Sequence, residues 1–201
     1  MVNIFYTDTS PKVCAKNLDN VRIVKMVTET MQILCGAAIN VQKKNVKFQP
    51  PYKSTQGQRN HHCVLWASSS LNNYIWLLKH FIYLEREYQA RFPKRKNDHT
   101  QAYSHYAVMK AWFTHNRRLF ERVDLTDPPA ATNNKDFATY SDDICTNYKI
   151  IMLHKWWLKD TRQPTWAPGY PPSWINDENL FKDMAEMSRM KDTKRFKPMM
   201  E

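Results

Sequence analysis

Glycine is scarce in this 201-residue chain: Gly36, Gly57 and Gly169 are the only three. That excludes a many-stranded sheet rich in tight turns and a glycine-rich phosphate loop, and leaves an all-α fold as the expectation. Four cysteines (Cys14, Cys35, Cys63, Cys145) lie far apart with no Cys-x-x-Cys spacing, which argues against a disulfide framework and for a reduced, cytoplasmic setting. No charged-then-apolar leader opens the chain, and every apolar run is too short to span a bilayer, so no membrane association is expected. Acid is also in short supply. Nineteen Asp and Glu face thirty Lys and Arg, a formal net charge of +11, and such a surface favours polyanionic partners, nucleic acid first among them.

The length fits a single compact helical domain. A short, apolar, extended N-terminal segment, "NIFYTD" (Asn3 to Asp8), ends where Ser10 and Pro11 read as helix cap and first helical residue. That helix runs to about Leu18, and Asp19 or Asn20 caps a longer one. In the longer helix Val24, Val27, Met31, Leu34, Cys35 and Ala38 recur at three- and four-residue steps and form a buried side. Arg22, Lys25, Glu29 and Gln32 share the opposite stripe. The stripe is either an ordinary solvated face with ion pairs or a site in which base, acid and amide project together.

From Val41 to Arg59 a basic stretch with two prolines and Gly57 has no helical period and reads as a long loop suited to a phosphate backbone. One central helix is expected from the histidine pair to about Phe92, and Asp98 caps another that runs from Thr100 to Phe120. A connector follows. Ser141, with Asp142 and Asp143 in the first turn, opens a last strong helix. The catalytic or binding domain is expected to span 1–166, and 167–201 to be an irregular Pro/Trp-rich extension ending in a tail that forms at most one further helix and is the part most prone to mobility.

"NHHCVLW" (Asn60 to Trp66) invites a metal reading, but the spacing of His61, His62 and Cys63 is wrong for zinc, and neighbouring helical positions point about 100° apart. The expectation is no metal and no cofactor. A Cys63 nucleophile with a histidine base meets the same geometric objection, and a buried packing role suits Cys63 better. The favoured reading makes Asn60 a helix cap, with Arg59 and His61 beside a phosphate. Lys53, Arg59, Asn60, Lys94, Arg95, Lys96, Arg117 and Arg118 are the candidate nucleic-acid contacts. Trp166, in the proline-rich region with Trp174, is the candidate base-stacking platform.

"NIFYTD", "VRIVKMVTETMQIL", "NHHCVLW", "NNYIWL" and "HKWWLKDTRQPTW" resemble, in the same order, a family of small, uncharacterised phage-encoded proteins. Its pattern is Asn-Ile-Phe, then Val-Val-Lys-Met with a later Glu, then Asn-His-Pro-Cys before Trp, and finally Trp-x-Pro-x-Trp. The similarity covers about Asn3 to Trp166. The matching residues are Asn3, Lys25, Glu29, Asn60, His61, Cys63, Trp66, Asn73, Tyr74, Trp76 and Trp166. The family's Asp-Lys-His reads Asn20, Val21, Arg22 here, and its proline reads His62.

More remotely, the layout is similar to the helical pyrimidine-dimer DNA glycosylase of T-even bacteriophages. That resemblance implies a metal-free enzyme whose N-terminal amine attacks the sugar C1′, assisted by a glutamate on an early helix. With Met1 removed, the amine would be that of Val2. Taken together with the α-helical stripe and the histidine after Asn60, this gives a candidate catalytic set of Val2, Arg22, Lys25, Glu29, Gln32 and His61. The expected function is a DNA glycosylase, with coupled lyase activity, acting on damaged or modified bases in the cytoplasm of an infected host. The alternatives are a non-catalytic binder of nucleic acid or a host protein, and an enzyme acting on a nucleotide or small phosphorylated substrate. Oligomeric state is not legible.

Overall fold

Ser10 is the N-cap and Pro11 the first residue of α1 (Pro11–Asn17), where the proline's fixed φ suits the first turn and its missing N–H costs nothing. Asp19 then caps α2 (Asn20–Val41) by accepting the Val21 N–H. The computed structural model describes residues 3–42, 48–93, 100–130, 132 and 135–188. Across these the fold is all-α, with helices and short helical turns and no strand.

The remaining helices are α3 (Gln56–Arg59), α4 (His62–Ser69), α5 (Leu71–Arg91), α6 (Thr100–Asn116), α7 (Lys135–Ala138), α8 (Ile144–His154) and α9 (Glu178–Met187). A 3-10 turn, Arg117–Leu119, follows α6, and a π turn, Lys155–Lys159, follows α8. Helix α2 sits at the centre, packed on α4, α5 and α6, while α1 lies along α5. Tyr74 donates its hydroxyl to the Leu34 carbonyl and so ties α5 to α2. Gly36 lets α4 come close: a β-carbon there would lie 3.0 Å from Val64 Cγ1. Ile175, Leu180 and Met184 join the same buried cluster as α2 and α5.

The single central helix expected from the histidine pair onward is two helices. Ser70 adopts an extended backbone (φ −145°, ψ 155°) between α4 and α5 and caps α5, its Oγ accepting the Asn73 N–H at 3.0 Å. A serine run offers the backbone this alternative to helix continuation. Likewise Asp143, rather than Ser141, caps α8, accepting the N–H groups of Cys145 and Thr146. The N-terminal segment is non-helical as expected but not uniformly extended, because Phe5 has φ 48°. The expected long loop contains α3, nucleated by a capping box between Thr55 and Gln58. The proposed Asp98 cap and the chain end from 189 lie outside the described residues.

Several residues of the family-like pattern prove to be structural ties. Asn73 Nδ2 donates to the Trp66 carbonyl and Thr126 Oγ1, and Asn73 Oδ1 accepts the Thr126 N–H. Trp66 and Trp76 donate their indole N–H groups to the carbonyls of Thr126 and Thr9. These bonds pin connecting segments on either side of α5. The helices behind the site thereby gain a fixed frame.

A candidate active site between the N-terminal segment and the α2 stripe

The α1–α2 corner is tied from several directions. Arg91 reaches back from α5 to the carbonyls of Leu18 (2.6 Å) and Lys16 (3.1 Å). Asn20 donates its backbone N–H to Thr165 O and its side-chain amide to Ala167 O. Trp156 Nε1 donates to Asp19 Oδ1 at 3.0 Å, and Trp166 Nε1 to the Asn17 carbonyl at 3.1 Å. A rigid start to α2 fixes the direction in which its stripe projects.

Arg22, Lys25 and Glu29 of that stripe, with Asn3, Phe5, Val21, Lys155 and Asp160, line one pocket of about 260 Å³. Arg22 is buried and satisfied, with Asp19 at 2.9 Å and Asp160 at 2.8 Å. Its guanidinium also lies 5.8 Å from the Phe5 ring centroid. Glu29 is 9% exposed and pairs with Lys25 at 3.0 Å, Lys25 itself remaining mostly exposed. A nearly buried carboxylate that pairs with Lys25 and lines a pocket is placed to meet a developing positive charge. Gln32, a turn further along, is half-buried and is not a lining residue.

Asn3 brings the N-terminal segment into the pocket. Its Oδ1 accepts the N–H groups of Ile4 (2.7 Å) and Phe5 (3.0 Å), a local turn that supports the left-handed Phe5 backbone. Such a conformation costs about 1–3 kcal/mol for a residue with a side chain and persists where surroundings enforce it. Val2, the proposed nucleophile, lies outside the described residues, next in sequence to this pocket wall.

The histidine cluster stands behind the segment rather than in the pocket wall. Asn60 is not the cap of α4: it ends α3, its Oδ1 accepting from Gln56 Nε2, and His61 becomes the α4 cap, with Nδ1 accepting the Cys63 N–H at 3.3 Å. The capping box at Thr55 spends the preceding turn on α3 and moves the cap on by one residue. Because His61 is non-helical (φ −63°, ψ 135°), the argument from 100° spacing fails for it. The His61 and His62 rings pack at 4.1 Å, and donor atoms of His61, His62 and Cys63 lie within 4.8 Å of one another. The thiol is nonetheless committed to the protein interior. Burial, reinforced by the Glu29 charge, pushes Cys63 up to about 12 despite its bond to the Ile4 backbone. Burial also lowers both imidazoles, that of His61 further through His62, so a cationic His61 at neutral pH is disfavoured.

Trp166 is no stacking platform. It is 3% exposed and edge-on to Trp156, and Trp174 stacks on Trp156 with ring centroids 5.5 Å apart. The buried Asp19 and Asn17 acceptors draw the indoles inward. Lys53, Arg117 and Arg118 are exposed and Arg59 is half-buried; Lys94, Arg95 and Lys96 lie outside the described residues.

Sequence reasoning missed Lys155 and Asp160, and saw in Asp19 only a cap. A partial signal existed for Asp19, which precedes Arg22 by three residues and so shares its helical face. No periodicity announces the π turn that brings Lys155 in.

No curated protein and no solved structure matches the chain. One family model does, over residues 2–100, and it is described as pyrimidine dimer DNA glycosylase. The matched segment contains Asn3, Phe5, Val21, Arg22, Lys25 and Glu29, six of the eight pocket-lining residues. The N-terminal half of this chain is therefore similar to the pyrimidine dimer DNA glycosylases, and the α2 stripe lies within that similarity.

Proposed function

We propose that this chain is a DNA base-excision enzyme, a glycosylase with coupled lyase activity, acting on damaged pyrimidines. The observation that carries this reading is the position of Glu29: nearly buried, paired with Lys25, and facing the same pocket as Asn3 inside the family-like segment. The Val2 α-amine, less basic than a lysine and partly neutral near pH 7, is the nucleophile for C1′. Glu29 stabilises the sugar cation that develops as the base leaves and moves protons. Arg22, locked by two carboxylates, keeps the pocket's shape rather than contacting phosphate. His61 acts through Cys63 and the Ile4 backbone, holding the N-terminal segment. Lys53, Arg59, Arg117 and Arg118, with Lys94, Arg95 and Lys96, supply phosphate contacts. A phage origin and action in an infected cell's cytoplasm belong to the same reading.

Incubation with duplex DNA carrying a cyclobutane pyrimidine dimer, followed by strand analysis, tests it. The expected result is cleavage of one glycosidic bond of the dimer, followed by strand cleavage at the abasic sugar, without added metal. Retardation in gels with a steep salt dependence but no product on any damaged base would instead support a non-catalytic nucleic-acid binder.

A further inference from the structure

Three basic side chains line the pocket, and they are not equivalent. Arg22 is held by Asp19 and Asp160, and its delocalised guanidinium is a poor nucleophile. Lys25 is held by Glu29 and is 60% exposed. Lys155 is half-buried and makes no ion pair within 4.0 Å among the described residues. It is the first residue of the π turn that ends α8. Such widened turns occur mostly singly and often at functional sites. Here the turn brings an unpaired primary amine into a pocket that also holds the Glu29 carboxylate.

The geometry points to Lys155 Nζ as an imine-forming nucleophile of this pocket, acting on the C1′ aldehyde of an abasic deoxyribose. This rests on the reading that the pocket handles a deoxyribose. Burial, and then the Arg22 guanidinium, lower the Lys155 ammonium from its ordinary range, the environment that activates lysine amines. The Nζ lone pair adds to the carbonyl carbon, and the carbinolamine loses water to give a protonated imine. Glu29 takes a C2′ proton. The freed electron pair forms the C2′–C3′ double bond as the C3′–O bond breaks, and the 3′ phosphate leaves with the bonding pair. Water then hydrolyses the imine, returning lysine and an unsaturated aldehyde.

The test traps the full chain on duplex DNA containing an abasic site with sodium borohydride and maps the adduct by proteolysis and mass spectrometry. The expected adduct is on the peptide that contains Lys155. Lys155→Arg, which keeps the charge but forms no imine, should lose that adduct while binding DNA as before and unfolding at the same temperature. An adduct confined to the N-terminal amine, with Lys155→Arg trapping like the wild type, would overturn this inference and leave the proposed function standing. No adduct at all, with no excision of any damaged base, would overturn both.

Discussion

Glu29 and Asp19 show how a single carboxylate's surroundings set its task. Glu29 is held by one lysine and opens to a pocket, so Glu29→Gln should keep shape and lose charge. Its expected effect is a loss of about 10²–10⁴ in single-turnover glycosidic-bond cleavage, with DNA affinity nearly unchanged. Asp19 has no such freedom. It accepts from Val21, Arg22 and Trp156 while 1% exposed. Asp19→Asn removes the charge opposite Arg22 and should cost about 1.5–3 kcal/mol in urea unfolding. At this scale the sequence was informative in part. The Arg22, Lys25, Glu29 and Gln32 spacing announced a shared face, and three of these four residues reach one pocket. Lys155 and Asp160 were illegible because they arrive from distant sequence through a turn of irregular winding. Trp166 was misread because proline-rich surroundings say nothing about the indole's distant acceptor on Asn17.

Helix boundaries were legible where a cap and an apolar period agree, as at Ser10-Pro11 and Asp19. They were not legible where two polar side chains compete for one turn. Thr55 takes the capping box and displaces the α4 cap from Asn60 to His61, and Ser70 splits what periodicity alone joins. Packing between elements then depends on details such as Gly36. Filling that position with valine sets added atoms against Val64 at the α2–α4 contact. Gly36→Val is expected to lower stability by about 1–3 kcal/mol, as overpacking does, measured by thermal unfolding. Because α4 carries Cys63, which bonds the Ile4 backbone, the same variant should also weaken excision.

The whole molecule couples its stability to pH through His80, buried between α5 and α1 with Nδ1 3.0 Å from the Pro11 carbonyl and its ring stacked on Trp76. Burial lowers its pKa to about 4. The unfolded chain, titrating near 6.5, therefore binds the proton first as pH falls. The stability is fully present above about pH 6.5 and is lost progressively as pH falls toward the folded value of about 4, by up to roughly 3 kcal/mol. Urea titrations at pH 7 and pH 5 should show the decline, and His80→Phe should flatten it. The all-α class was legible from glycine scarcity and helical periods, and a net charge of +11 favours a polyanionic partner. The placement of charge around a pocket was not, since it depends on which helices meet.

The most direct measurement of the central claim is single-turnover excision of a defined cyclobutane pyrimidine dimer at saturating protein, comparing the wild type with Glu29→Gln. The account predicts cleavage of one glycosidic bond of the dimer by the wild type and a loss of about 10²–10⁴ in that rate in the variant, with both proteins bound to the DNA. Equal rates in the two proteins, or no glycosidic-bond cleavage by a wild type that is fully bound, would contradict it.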